Sequence, residues 1–247
     1  MEVDWERFCE EHDVALVVPS KDRAALLARK TDRVIRGYHL YYQGSGYTER
    51  DYRALSVTET PSHIRGLPAT LNWIMRTRKE RCLIFLDDDV TKVSWLSSDR
   101  YVHLDTEQVM LMLINLVVNA RDVGATLFGI SEVDIRKHSQ LAPFALRSKV
   151  MGLLGIDGRK HEFDARQTVK ADFDFVLQKI RDDRVVWKDT RYWAQANLYT
   201  DPGGGTEYRI NNAEKEETER LVSWWGSDIV EPTTRKGTES IVLRIPK

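Results

Sequence analysis

The chain has 247 residues, with 37 Lys+Arg against 38 Asp+Glu, 42 % hydrophobic residues and two cysteines. That length buries one sizeable core, and a formal net charge of −1 excludes a chain that coats nucleic acid through a generally basic surface. Cys9 and Cys82 are too few for a disulfide framework or a thiolate zinc site, and they read as buried thiols in a reducing compartment.

In chain order, Met1–Asp13 (MEVDWERFCEEHD) is acidic and lacks the apolar stretch of a signal peptide. The longest apolar run, Leu111–Val118, is interrupted by Asn115 and falls far short of the ~20 residues that span a bilayer. A cytoplasmic protein without a membrane span is the expectation. Val14–Val18 (VALVV) is an unbroken apolar run ending in Pro19-Ser20, the form of a strand covered on both faces. Arg23–Lys30 predicts a helix, and Tyr38–Tyr42 a strand broken by Gly44-Ser45-Gly46. Ser56–Glu59 predicts a third strand. Leu67–Arg78 carries Leu67, Leu71, Ile74 and Met75 on one helical stripe, with Pro68 at the opening where its missing N–H costs least. Arg81–Leu86 (RCLIFL) is the strongest strand and runs straight into Asp87-Asp88-Asp89. This alternation describes a Rossmann-like α/β sheet, whose ligands gather at the carboxyl ends of the strands.

The second half is less regular. A helix is expected over Asp105–Asp122, strands over Thr126–Ile130 and Val150–Ile156, a helix over Phe173–Arg181, a short strand over Val185–Trp187 and an acidic helix over Asn212–Trp225. No repeat, low-complexity tract or long linker divides the chain, so one composite domain over 1–247 is expected.

A buried strand ending in three carboxylates delivers them to the ligand edge of the sheet. Alternation sends Asp87 and Asp89 one way and Asp88 the other. Oxygen ligands a residue apart suit a hard divalent cation such as Mg²⁺ or Mn²⁺, which would hold a nucleotide diphosphate; the alternative is a solvated acidic turn. Pro19-Ser20-Lys21-Asp22-Arg23 lies on the same edge, and its hydroxyl, cations and N–H groups suit a nucleotide or merely cap a turn. The chain contains no P-loop, dinucleotide fingerprint or H-E-x-x-H helix.

With these motifs in order, "VVPSKDR", "RGLPATLNWIM" (Arg65–Met75), "IFLDDDV" and "KADFDFVLQKI" (Lys170–Ile180), the chain resembles the GT-A type of nucleotide-sugar glycosyltransferase. More narrowly it resembles the TET-associated glycosyltransferases encoded mainly by bacteriophages, which attach sugars to 5-hydroxymethylpyrimidines in DNA after a TET-like dioxygenase has installed the hydroxyl. The resemblance spans roughly Val14–Arg209. It implies a nucleotide-sugar-binding half over about 1–100 and an acceptor-binding, catalytic half over 101–247. For a phage-encoded chain, the cytoplasm would be the host's.

The resemblance makes Asp87 and Asp89 the D-x-D metal and diphosphate site. Nucleotide-sugar contacts are expected from Pro19, Ser20, Lys21, Arg23, Arg65, Asp87, Asp88, Asp89 and Arg209, with a UDP-sugar as donor. Asp172 falls where inverting members place the catalytic base, in a motif usually written Glu-Asp; here Ala171 replaces the Glu. Asp174 either compensates or caps the helix. The C-terminal metal-ligating His common in the fold is absent, since the last His is His161, so water, nucleotide or Asp201 would complete the shell.

Ile135–Lys170 holds eight Lys/Arg against three acids. Arg147, Lys149, Arg159 and Lys160 are candidates to track DNA phosphates, and Trp193, with Trp187 and Tyr192, to stack on a flipped 5-hydroxymethylcytosine. A solvated face and ordinary packing are the alternatives. Gly203–Gly205 permits close approach to a ligand or forms a hairpin. Other readings are transfer to a polysaccharide, protein or small molecule, or a binding module without turnover.

Overall fold

The computed structural model describes residues 4–48, 52–97, 100–131, 142–196, 213–235 and 238–245. It opens on α1 (Trp5–His12), an element the sequence reading does not assign; the Asp4 carboxylate caps it by accepting from Arg7 N at 3.0 Å. Four strands follow, β1 (Val14–Lys21), β2 (Tyr38–Gln43), β3 (Ala54–Glu59) and β4 (Cys82–Leu86), connected through α2 (Ala24–Arg29), α3 (Thr31–Val34) and α4 (Leu67–Thr77). They lie parallel, as the alternation of apolar strands and helices predicts, in the order β3-β2-β1-β4.

Beyond β4 come β5 (Val90–Ser97), β6 (Arg100–His103), α5 (Thr106–Asp122), β7 (Leu127–Ser131), β8 (Phe144–Leu146), β9 (Leu153–Asp157), α6 (Ala171–Asp183) and β10 (Trp187–Ala196). All their strands join the same ten-stranded sheet, which continues β4-β9-β7-β10-β5-β6, with β8 beside β10. Strand β9 is antiparallel to both β4 and β7, so the sheet is mixed. Last come α7 (Ala213–Trp225) and a hairpin of β11 (Val230–Arg235) and β12 (Thr238–Leu243).

The uninterrupted apolar strands are explained by helices on both faces. Val14, Leu16, Val18, Ile84 and Leu86 face a cluster with Trp5 and Phe8 of α1 and Val109, Leu113, Leu116 and Val117 of α5. Ala15, Val17, Leu83 and Phe85 face Leu71, Ile74 and Met75 of α4 and Phe175 and Val176 of α6. Outside α6, a third cluster joins Leu177 to Leu221 of α7 and to Val230 and Ile241 of the hairpin. Among the described residues, no helix is long and apolar enough to cross a membrane.

Three expectations are corrected. The short strand at Val185–Trp187 is the start of β10, which extends to Ala196 and pairs with β7, β8 and β5. Its outer residues alternate weakly in polarity and owe their conformation to these neighbours. Strands β5, β6 and β8 and the terminal hairpin fall where no element was assigned, for the same reason. Pro19-Ser20-Lys21 belong to β1 rather than to a loop. Pro19 pairs only with Tyr41 because the register with β4 stops at Val17↔Phe85, and a residue with one neighbouring strand has no ladder bond to lose on its open side.

Candidate active site

The β4 strand ends at Leu86, and a turn carries Asp88 and Asp89 back into β5. The simple alternation of side chains therefore stops before the triplet. Thr31, fully buried on α3, fastens the turn: its Oγ1 donates to the Asp87 carbonyl at 2.8 Å and accepts from Val90 N at 3.0 Å. On the other side Asp87 N donates to the Gly152 carbonyl at 2.9 Å.

The end of β1 reaches the same place. Ser20 Oγ donates to Asp88 Oδ2 at 2.5 Å, and Ser20 Oγ and Tyr47 Oη lie 2.8 Å apart. A serine hydroxyl has one proton, which Asp88 takes, so Tyr47 donates to Ser20. Arg23 N in turn donates to Tyr47 Oη at 2.9 Å, so this N–H at the start of α2 is already engaged. The Arg23 guanidinium lies 3.0 Å from Asp88 and 3.6 Å from Asp89, drawing together two carboxylates that alternation would have separated.

Asp172 enters from the first turn of α6, and its carboxylate lies 3.5 Å from Lys149 Nζ, which also sits 3.6 Å above the Phe173 ring. Burial pushes the Asp172 carboxyl above the ordinary range, against the pull of Lys149. Burial pushes Asp87 well above its ordinary range too, followed by repulsion from Asp89 and Asp88; Arg23 opposes the rise and Asp172 adds to it. Asp88 is raised by burial, with Ser20 and Arg23 opposing. Residues 149–152 thus link Asp172 to the triplet, 83 to 85 residues away along the chain: Lys149 pairs with Asp172 and the Gly152 carbonyl accepts from Asp87 N. Asp88 and Asp89 are buried, whereas the Asp172 side chain is 20 % exposed, with its Oδ2 buried toward Lys149.

The donor set suits a hard divalent cation: carboxylate oxygens of Asp87 and Asp89 on a turn held at both ends, in a cluster whose mutual repulsion a cation would relieve. Among the described residues no three His, Cys, Asp or Glu side chains gather as a metal cage, so such a cation would take further oxygens from phosphate and water. Asp174 does not compensate for Ala171. It is buried and accepts from Trp225 Nε1 at 2.8 Å and from Gln178 Nε2 at 2.6 Å.

The other candidates separate. Lys21 ends β1 at this edge, and exposed Arg65 stands in a loop that Gln43 pins by donating to the Pro61 and Ile64 carbonyls. Trp193 lies opposite Ser94 and Ser131, its ring 5.1 Å from Tyr101. Of the basic candidates, Lys149 alone is beside Asp172. Arg159 donates to the Glu80 carbonyl and Lys160 lies 3.4 Å from Asp183. Both follow Asp157, which pairs with Cys82 at the amino end of β4, and that five-residue strand separates them from the triplet by about 16 Å. Arg147 donates to the Arg184 carbonyl at the carboxyl end of α6, while Asp172 is at the amino end. The continuous basic run is thus dispersed by folding. Arg209, Asp201 and Gly203–Gly205 lie outside the described residues. A cavity of about 630 Å³ lined by Trp5, Arg36, Gly37 and Arg53 opens at the opposite, amino-terminal edge of β2 and β3, away from the carboxylates.

Thr31 and Tyr47 are absent from the sequence reading. Thr31 falls just past the expected Arg23–Lys30 helix and Tyr47 is one of nine tyrosines, and only folding brings them to the triplet.

Neither a protein-family model nor a curated protein matches the sequence. Solved structures do resemble the fold. A mannosyltransferase from Pyrobaculum calidifontis, in complex with GDP-Man and Mn²⁺, superimposes with a TM-score of 0.52 at 17 % identity, over 86 % of this chain and 64 % of its own. Glucosyl-3-phosphoglycerate synthase from Mycobacterium tuberculosis, in complex with Mn²⁺, UDP and glucosyl-3-phosphoglycerate, gives 0.51 at 12 % identity, over 97 % and 90 %. A mycobacterial protein gives 0.52 at 11 % identity, over 97 % and 87 %. The chain therefore spans less than two thirds of the mannosyltransferase but most of the other two. The fold is that of the GT-A nucleotide-sugar glycosyltransferases.

Proposed function

We propose that the protein is a metal-dependent glycosyltransferase that moves a sugar from a nucleotide-sugar donor, a UDP-sugar in the first instance, to a hydroxyl acceptor. The observation that carries this reading is that one short segment serves both carboxylates at the carboxyl end of β4: the Gly152 carbonyl accepts from Asp87 N at 2.9 Å and Lys149 Nζ lies 3.5 Å from Asp172. The Mn²⁺ and nucleotide or nucleotide-sugar in the two named neighbours support the same reading.

In an inverting transfer, Asp172 takes the proton of the acceptor hydroxyl as its oxygen bonds to the anomeric carbon, and the bond from that carbon to the diphosphate oxygen breaks. Lys149 favours the ionised form that a base requires. Asp87 and Asp89 would hold the divalent cation, whose chemistry when bound is to offset the charge of the departing nucleoside diphosphate. Arg23 keeps Asp88 and Asp89 in place, and Ser20 and Lys21 border the donor side.

As acceptor we propose 5-hydroxymethylcytosine in DNA, produced upstream by a TET-like dioxygenase. The sequence resemblance supports this choice, with Lys149 beside Asp172 as the basic contact at the site and Trp193 on β10 as the stacking candidate. The dispersal of Arg147, Arg159 and Lys160 favours a second reading, a smaller hydroxyl acceptor. The test offers UDP- and GDP-sugars with Mn²⁺ to hydroxymethylated DNA, unmodified DNA and small-molecule or polysaccharide acceptors. Nucleoside diphosphate release plus a hexose- or pentose-sized mass on hydroxymethylated DNA alone is the expected result. Release without DNA modification would reject the DNA acceptor, and no release with any donor would reject the transferase.

A further inference from the structure

Helix α6 carries Asp172 in its first turn, yet Lys170 at its N-cap provides no side-chain cap. An uncapped amino end would let the segment fray and Asp172 move with it. A carboxylate of α7 instead fixes the segment that leads into the helix. Glu217, 4 % exposed, sends its carboxylate into the segment before α6: Oε1 accepts from Thr168 N at 2.6 Å and Thr168 Oγ1 at 2.7 Å, and Oε2 accepts from Val169 N at 3.0 Å and Lys170 N at 2.9 Å.

One buried carboxylate thus receives four donors from three consecutive residues, ending two positions before Asp172. Charge-assisted bonds of this kind are about twice as strong as neutral ones, and a negative charge at a helix amino end is favoured by the aligned peptide dipoles. Two further links from α7 flank it: Glu214 accepts from Lys170 Nζ, and Trp225 Nε1 donates to Asp174.

We propose that Glu217 is a positioning residue for the reaction, holding residues 168–170 so that Asp172 meets the triplet at a fixed height. This role rests on the reading of Asp172 as the base. Glu217 touches neither substrate nor reacting atoms; it acts through the backbone. Three of its four donors are backbone N–H groups, and in Glu217→Gln one acceptor oxygen becomes an NH₂ that opposes N–H donors.

The experiment compares Glu217→Gln and the milder Thr168→Val with Leu221→Val, which loosens the α7 core without touching the carboxylate. Sugar transfer and amide hydrogen exchange are measured on the full chain with Mn²⁺. Glu217→Gln is expected to lower kcat at least tenfold with KM for the nucleotide sugar within twofold, and to speed exchange at Val169 and Lys170 at least tenfold. Thr168→Val should lower kcat by a smaller factor, and keeps the idea testable if Glu217→Gln does not fold. Leu221→Val should lower the melting temperature with kcat within twofold. Unchanged kcat in the folded Glu217 and Thr168 variants, or an equal loss in Leu221→Val, would overturn the positioning role, as would unaltered exchange at Val169 and Lys170. If the unaltered protein transfers no sugar, the reading of the site fails and the positioning role with it; faster exchange in Glu217→Gln would then still mark the carboxylate as the clamp of residues 168–170.

Discussion

Lys149 Nζ lies 3.5 Å from the Asp172 carboxylate, an ion pair joining the strand-β8-to-β9 connection to the first turn of α6. A residue that charge alone would assign to DNA phosphates is turned toward the proposed base. Burial raises the Asp172 carboxyl and Lys149 lowers it, so Lys149→Met should raise it further. A base works when deprotonated, so the acid limb of the kcat–pH profile should move to higher pH in the variant. Asp172→Asn, folded, should lose at least a hundredfold in kcat while still binding donor. An acid limb that stays put, or full activity in Asp172→Asn, would defeat the assignment.

Asp87 carries a raised carboxyl, so the folded state binds its proton more tightly than the unfolded chain. Its ionisation therefore opposes folding: the penalty is absent below the unfolded value of about 3.9 and complete above the raised folded value. In metal-free buffer Asp87→Asn should melt higher than the unaltered protein at neutral pH, with the advantage fading toward pH 4. Mn²⁺ should raise the melting temperature of the unaltered protein and leave the variant almost unmoved. Equal Mn²⁺ responses in thermal melts would remove Asp87 from the metal site.

Thr31→Val keeps the shape of a fully buried side chain but strips Val90 N–H and the Asp87 carbonyl of a shared partner. The expected cost is about 1–3 kcal/mol, measured by urea unfolding, with a weaker Mn²⁺ affinity because the turn carrying Asp87 and Asp89 loosens. A destabilised variant with intact Mn²⁺ affinity would confine Thr31 to a structural role.

Gly155 on β9 lies against the fully buried Phe128 ring, and a Cβ there would come within 2.1 Å of it. Phe128 cannot move without disturbing the α5 face of the core, so Gly155→Ala should cost about 1–3 kcal/mol or more. Chemical denaturation reads this directly, and a loss below half a kcal/mol in that measurement would show that the ring has room to yield.

Arg159 and Lys160 stand at the sheet edge opposite the carboxylates. With hydroxymethylated DNA as acceptor, the double change Arg159→Ala/Lys160→Ala should leave KM for DNA within twofold. A large rise in KM, with a shallower salt dependence, would mean that DNA reaches across both edges.

Sequence periodicity resolves some parts of this architecture and not others. The runs Val14–Val18 and Cys82–Leu86 are apolar at every position because helices cover both faces, and that composition survives any uncertainty about neighbours. The α5 stripe and its Asp105–Gln108 capping box are equally local. By contrast, β5 and β10 mix Lys92, Ser94, Lys188 and Gln195 with their apolar residues, and only cross-strand pairing makes them strands. Asp87-Asp88-Asp89 stands out as a candidate site because three carboxylates directly follow a strand that is apolar at every position, where oxygen ligands a residue apart suit a divalent cation. The partners were not visible: Thr31, Tyr47 and Glu217 lie 56, 41 and 45 positions from the groups they serve, Asp87, Asp88 and Asp172.

By itself the sequence determined the apolar strands β1 and β4 of an α/β sheet and the acidic end of β4, because burial on two faces and a clustered charge are both properties of contiguous residues; the order β3-β2-β1-β4 came from the fold. Tertiary structure alone decided which charges meet. It brought Lys149 to Asp172, gave Arg23 to Asp88 and Asp89, and sent Arg159 and Lys160 to the far edge. The reversal of β9 against β4 is the physical reason: an antiparallel strand starts beside the carboxylates and ends about 16 Å away, so a basic run continuous along the chain is divided in space.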